Sequence, residues 1–444
     1  MGPRAPVRLS KHTSNLFRPR SKVPGEGLDV SELGGVIAVN PDARTAVVQG
    51  MATYERIVDA TLPYGLMPRV VPQLRTITLG GAVTGLGIES TSFRHGLPHE
   101  SVLEMDVLTG AGEIVTASAE QHADLFAAFP NSYGSLGYAL RLTIELQPIA
   151  PYIALRHVRF EDLDQLTTTI EQITLDHTYD GEPVEFLDGV MFDPEQAYLT
   201  LGRGVDHVAE AGLLSPSDYT GRHVYYRSIP ERSRDVLTAY DYLWRWDTDW
   251  FWCSRAFGAQ HPIVRRLWPS RYRRSDVYHR LVGLEHRFGV ARRIDRLRRK
   301  PAHERVVQDV ELPIEQTADF LRWFDANVAM RPVWLCPLRL RESGGPGFAR
   351  EWPLYPLRSG KTYVNVGFWG QVPIARADVD GAVNIRIEQA VAARAGHKSL
   401  YSDAYYEEAD FYATYGGATY QAAKHTYDPD QRLTGLYEKA VRRR

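Results

Sequence analysis

Cysteine is nearly missing. Only Cys253 and Cys336 occur in 444 residues, which excludes a disulfide framework and argues against a cysteine-based metal site. That usage fits a reducing compartment. No run of 18 or more apolar residues is present, so no segment reads as a membrane-spanning helix. The opening stretch, MGPRAPVRLSKHTSNLFRPRSK, has basic side chains but lacks the apolar core of a secretory signal. Internal repeats and low-complexity tracts are also missing. The composition, 44% hydrophobic and 24% charged, is that of a globular chain long enough for two or three domains.

Net charge is small, −2, but unevenly spread. Residues 255–300 hold fourteen Arg and Lys against three acids, a net of +11, so the rest of the chain carries −13. A local basic block in a mildly acidic chain points to an anionic partner at one place.

Periodicity and turn residues divide the chain. Val36–Val39 and Ala46–Gln49 read as a hairpin turning at Asn40-Pro41-Asp42, and VLEMDVLTGAGEIVTA reads as a second. GYALRLTIELQP is a strand closed by Pro148, and a compact α+β unit ends near 150. A second α+β unit begins at PYIALRHVRF. It has a helix at about 162–177, strands at EPVEFLDGVMF, QAYLTLGRG, ERVVQDVELP, VWLCPLRLRE and KTYVNVGFWG, and helices at about 315–328 and 380–395. In ERVVQDVELP the period of two puts Val306, Gln308, Val310 and Leu312 on one face, and Asp309 and Glu311 on the other.

Five glycines crowd into TITLGGAVTGLGIESTSFRHG, residues 76–96. The stretch lacks a strict G-x-G-x-x-G, and ESTSFRHG is no helix former, so the Rossmann fingerprint fails. RSGKTY fails as a Walker A loop, because Tyr355 stands where the first glycine is required. A Thr/Gly/Ser loop between strands remains. Its amides and hydroxyls suit a polyanion or a flat heteroaromatic ring, or else it is a tight corner that needs glycine.

With EMDVLTGAGEIVTAS and ADLFAAFPNSYGSLGYALRLTIELQP, this stretch resembles the FAD-binding domain of the vanillyl-alcohol oxidase/p-cresol methylhydroxylase (VAO/PCMH) superfamily. Within it, YYRSIPERSRDVLTAYDYLW, RVVQDVELPIE, RPVWLCPLRL and LYSDAYYEEADFYATYGGATY resemble the sterol delta-24-reductase family, over about residues 8–427. The resemblance implies an α+β fold with a two-subdomain FAD-binding domain at 1–150. It implies a cap or substrate domain at 151–410, with a lid or membrane-contact insertion at about 240–300, and a segment at 411–444 returning to the flavin. The chain starts almost at the expected pyrophosphate loop, so the ADP half of the site is the least complete part of the pattern.

Cofactor contacts are expected, by the resemblance, from Thr13, Ser14 and Asn15 at the pyrophosphate; from Pro72, Thr78, Gly80, Gly81, Gly85, Gly87, Glu89, Ser90 and Ser92 along the glycine stretch; and from Gly134 and Gly137 beneath the cofactor. FAD is expected to be bound non-covalently, with His12 the alternative point of attachment. Lys424, in GGATYQAAKHTYDP, is the expected cation near flavin N1 and the C2 carbonyl, and Tyr420 lies one helical turn away. Gln308 is the expected flavin or substrate contact, and Glu185 and Glu311 are candidate acids, the two carboxylates also readable as solvent-facing strand residues.

The block from Tyr240 to Lys300 holds five of the nine tryptophans. Its second half reads as an amphipathic helix whose stripe includes Val277, Leu281, Leu284 and Phe288. Trp250, Trp252 and Trp268 with Arg292, Arg293 and Arg296 form the expected membrane contact; the alternative is a helix packed on the cap.

The expected activity is reduction of a carbon–carbon double bond in a lipid. The lipid would be sterol-like or a phospholipid with an unsaturated or methylene-bearing acyl chain, and NADPH the reductant. Expected partners are an anionic membrane surface and a lipid-modifying methyltransferase, not nucleic acid, and the expected location is cytoplasmic, at the inner face of the membrane. Two alternatives stand beside it: an FAD-dependent oxidase or dehydrogenase of an alcohol, sugar or polyprenyl-phosphate sugar, and a non-catalytic lipid-binding protein. No metal is expected.

Overall fold

The computed structural model describes residues 7–10, 17, 27–288, 302–342, 351–374 and 381–442. Two antiparallel sheets organise them. The first is built from β1 (Val36–Asn40), β2 (Thr45–Gln49), β3 (Leu66–Pro68), β4 (Val102–Thr109), β5 (Ile114–Ser118) and β6 (Gly137–Pro148). Its order is β1-β2-β6-β4-β5, with β3 pairing the end of β6. The second has eight strands. They are β7 (Tyr152–Phe160), β8 (Phe186–Asp193), β9 (Gln196–Val205), β10 (Arg234–Thr238), β11 (Ala302–Pro313), β12 (Val333–Leu338), β13 (Tyr363–Ile374) and β14 (His397–Lys398). Their order is β10-β7-β9-β8-β12-β13-β11-β14. The architecture is α+β.

Helices take one face of the large sheet. α5 (Leu163–Asp176) starts where Asp162 accepts the amides of Asp164 and Gln165, each at 2.8 Å, and buries Leu163, Leu166, Ile170 and Ile173. It packs on α9 (Ile314–Asn327), with α10 (Ala382–Ala392) beside it. Under these helices lie Val306, Val310, Leu312, Val364, Val366 and Phe368. The other face carries Trp334, Cys336 and Tyr363, which join one continuous core with Ala46, Val48 and Leu142 of the first sheet. The inner face of the large sheet thus looks onto the smaller sheet's domain.

Two local expectations are overturned. The glycine stretch contains α2 (Leu79–Thr84), capped by Thr78, whose Oγ1 accepts the Gly81 amide at 3.2 Å, and one turn, α3 (Ser92–His95). Glycine is a poor helix former, yet Gly80 needs to be one: a Cβ there would sit 2.7 Å from the Gly50 carbonyl oxygen. Strand β10 (Arg234–Thr238) also stands where the sequence reading placed no strand.

Candidate functional site

The glycine segment forms a floor close to its own chain. Gly80 N donates to Gly50 O at 2.8 Å, and a Cβ on Gly87 would meet the Pro72 ring at 2.5 Å and the Pro98 ring at 2.9 Å. Gly137 is closed in by Val107 and Leu108, and a Cβ on Gly85 would lie 2.8 Å from Gly81 O. These four glycines therefore answer first to contacts within the protein.

Beneath α2 runs the turn 130–137. Asn131, Tyr133 and Gly134 have φ of 60°, 51° and 71°, and the amides of Asn131 and Tyr133 donate to Val83 O and Thr84 O of α2. Asn131 is buried, and neither end of its side-chain amide has a hydrogen-bond partner; the buried Ser132 hydroxyl is equally unmatched. Buried polar groups are nearly always paired. Neutral donors and acceptors left open beside a glycine-rich floor suit the hydrogen-bonding edge of a flavin or its ribityl chain.

Glu89 belongs to a different structure. Its carboxylate accepts from Gln73 Nε2 (2.7 Å), Ser90 Oγ (2.6 Å) and Thr91 N (3.2 Å), and Ser92 Oγ accepts the Glu89 amide at 3.1 Å. Arg245, fully buried, lies 3.6 Å from Glu89 and donates to Asp188 at 2.9 Å. Trp246 Nε1 and Trp334 Nε1 also donate to Asp188, and Arg245 stacks on the Tyr242 ring at 3.9 Å. Burial raises the Glu89 pKa against the lowering pull of Arg245. This network ties the glycine segment to the inner face of the large sheet. An acid inside the apolar strand FLDGVMF was its sequence signal.

On that inner face, Asp309 pairs in register with Gly367, and Gly367 with Trp334. Glu311 pairs with Asn365, and Asn365 with Cys336. Gly367 has no room for a side chain, because its Cβ would lie 2.4 Å from Asp309 Oδ1 and 2.6 Å from the Trp369 ring. Glu311 is fully buried and accepts from Ser399 Oγ at 2.7 Å; its second oxygen faces His397 Nε2 at 3.5 Å. Asp309 accepts from Asn365 Nδ2 at 3.3 Å, with Tyr401 beside it. Burial pushes Asp309 up to about 7 and Glu311 up to about 8, and pushes His397 down to about 3. Both carboxyls hold protons close to neutral pH. An aromatic group, Trp246, Phe251, Trp252, Trp334 and Trp369, covers the adjacent face, with Phe251 and Trp369 centroids 4.4 Å apart.

Several expected site residues lie elsewhere. Gln308 is on the opposite, helix-covered face, fully buried and bonded to Asn384 of α10, because strand parity sends neighbours 308 and 309 to opposite sides. Glu185 accepts the Gly204 amide at 2.8 Å, and β8, which follows it, is three strands from Glu311, roughly 14 Å across the sheet. Lys424 Nζ, expected to be a free cation, donates to Asp428 Oδ2 (2.5 Å), Leu433 O (2.7 Å) and Ser135 O (2.8 Å). Tyr420 OH accepts the Leu436 amide at 2.8 Å within the C-terminal packing. Trp250 and Trp252 are buried and Trp268 half-buried against Tyr278, so these rings are core rather than membrane contacts. His12, Thr13, Ser14, Asn15, Arg292, Arg293 and Arg296 lie outside the described residues. Asn131, Ser132, Asp188 and Arg245 were missed by sequence reasoning.

A family model described as an FAD binding domain matches residues 4–118. The chain carries an FAD binding domain. Delta(24)-sterol reductase of Macaca fascicularis is 24% identical over 413 residues, 91% of this chain and 75% of that protein. Its counterpart in Arabidopsis thaliana is 22% identical over 438 residues, 94% of this chain and 77% of the other. Cytokinin dehydrogenase 9 of Oryza sativa subsp. japonica is 28% identical over 177 residues, only 39% of this chain and 34% of its own. The likeness to sterol reductases thus runs through both sheets, and the residues open at Asn131 and Ser132 fit the cofactor that the FAD binding domain names.

Proposed function

We propose that this protein is an FAD-dependent oxidoreductase that saturates a carbon–carbon double bond of a lipid, with NAD(P)H as reductant. One observation carries the reading: the chain is similar to Delta(24)-sterol reductases along more than nine-tenths of its length, substrate-side sheet included. The likeness to a dehydrogenase stops at 39%. Bound FAD would relay hydride from the nicotinamide to the lipid. Residues 1–150 hold it, 151–410 cover it and 411–444 return to it. Asn131 and Ser132 supply its hydrogen bonds from below, and Thr13, Ser14 and Asn15 are the proposed pyrophosphate donors. The buried aromatic group around Trp369 keeps water from the reacting face, and the inner-face carboxyls hold a proton ready for the second carbon.

The lipid is met at an anionic membrane surface, and the contact residues differ from the expected tryptophans. Ile263 and Leu267, on α7 (Pro262–Leu267), are 65% and 77% exposed, with exposed Tyr272, Arg266 and Arg271 close in sequence. Exposed aliphatic side chains among arginines suit the headgroup boundary. No helix among the described residues is long and apolar enough to cross a membrane.

The test is anaerobic. NADPH is expected to bleach the flavin, and an olefinic lipid to restore its colour while mass spectrometry finds the lipid two mass units heavier. Bleaching only by an alcohol would favour the oxidase, and purified protein without flavin the lipid-binding alternative.

A further inference from the structure

Saturating an isolated double bond needs an acid as well as a hydride donor, and the inner face of the large sheet holds an arrangement suited to the task. We propose that Asp309 is the proton donor of this site and that Glu311, behind it, is the group that reprotonates it. The proposal rests on the functional reading above.

The geometry gives the two carboxyls different standing. They lie two residues apart on one face of β11, Cα atoms about 7 Å apart by the strand rise. Glu311 is fully buried, held by Ser399 Oγ, and has no access of its own. Asp309 is half-buried and stands forward, with the Trp369 ring and Tyr401 at its sides. Phe17, which packs on Tyr401 with ring centroids 5.8 Å apart, brings the amino-terminal end of the FAD-binding match to the same place. Ser399 holds both residues: its hydroxyl donates to the Glu311 carboxyl, and its amide donates to the main-chain carbonyl of Asp309 at 3.0 Å.

Hydrogen bonds from Tyr401 and Asn365 to Asp309, and from Ser399 and Tyr355 to Glu311, favour the carboxylates, but burial outweighs them. Tyr355 and His397 face Glu311, Tyr401 faces Asp309, and Cys336 lies one strand beyond Asn365. Tyr406 and Tyr415 lie further out. The nearby cation, Lys398, is engaged by Glu388 at 2.9 Å and by the Asp403 carbonyl. No arginine pairs with either carboxyl among the described residues. With no arginine paired to either, burial accounts for most of the upward shifts of both carboxyls.

The step balances. The π bond breaks; one carbon gains hydride, with its electron pair, originating in NAD(P)H, and the other gains H⁺ from the Asp309 carboxyl. Asp309 is left as carboxylate and takes the proton of Glu311, which is reprotonated from solvent between turnovers. Asp309 touches the reacting atoms; Glu311 acts through it.

Two measurements test this on the intact flavoprotein. Infrared difference spectra between about pH 5 and about pH 9 should show two protonated carboxyl bands disappearing in separate steps, one lost in Asp309→Asn and the other in Glu311→Gln. Both groups already ionised near pH 5 would overturn the proposal. In single-turnover mixing, Asp309→Asn should lower the ratio of olefin saturation to flavin reduction by about 100-fold or more. Glu311→Gln should keep the first turnover and slow the later ones, a split that a merely structural role would not produce. A ratio in Asp309→Asn within about twofold of the parent would also overturn it. A parent enzyme that bleaches with NADPH yet saturates no olefin would defeat the functional reading instead, a distinct result.

Discussion

Lys424 makes three hydrogen bonds from one ammonium group, so its charge is already answered by the buried Asp428 and two carbonyls. Sequence reading gave this residue a role at the flavin because a fixed ammonium stabilises reduced flavin and the segment resembles the one that returns to the flavin domain, with a solvated surface lysine as the alternative. The structure makes it a tie between α12 (Gly417–Tyr427) and the turn at Ser135. Lys424→Met leaves Asp428 with only the amides of Arg432 and Leu433, at a cost of about 3 kcal/mol. Thermal unfolding measures that loss. A shifted flavin potential with unchanged stability would return Lys424 to the cofactor. Glu311 and Gln308 show the reverse case. Parity alone separated them, and it was readable in ERVVQDVELP; which face met the other domain was not.

At the scale of the element, the strands were legible. Alternating side chains bounded by Asn-Pro-Asp, Gly and Pro gave both hairpins and the long strands at 137–148 and 302–313, because a sheet face repeats every second residue. α2 was not, since local propensity argues against LGGAVT as a helix. Tertiary contact overrides propensity here: β2 and α2 approach so closely at Gly50 and Gly80 that side chains are excluded. Gly80→Ala would gain helix propensity, about 1 kcal/mol, and lose more to overpacking against Gly50 O, about 1–3 kcal/mol. The expected outcome is a lower melting temperature and less flavin per protein, read by calorimetry and absorbance. A variant as stable as the parent would mean that the two segments can separate freely.

For the whole molecule, the aromatic and basic block between 240 and 281 has a buried part and an exposed part. Trp244, Trp246, Trp250 and Trp252 are buried; Trp246 and Trp252 join the aromatic group over the inner face of the large sheet, and Trp250 packs with Ala259 and Tyr278. The surface past Pro262 keeps Ile263, Leu267, Arg266 and Arg271 outside. Replacing Ile263 and Leu267 with Asp should weaken binding to anionic vesicles at least about tenfold, since each buried aliphatic side chain is worth roughly 1.5–3 kcal/mol. Flotation with anionic and zwitterionic vesicles checks this. Equal recovery of parent and variant on anionic vesicles would dismiss α7 as a contact.

The chain's own pattern determined its strands, its α+β class and the FAD-binding resemblance, because turn residues, periodicity and glycine-rich motifs are local properties. It did not determine which tryptophans are core, which lysine is already paired, or which carboxyls keep their protons. Those depend on burial and on partners far away in the chain, such as Arg245 with Glu89 and Asp188 or Glu311 with Ser399, and only the folded molecule brings them together.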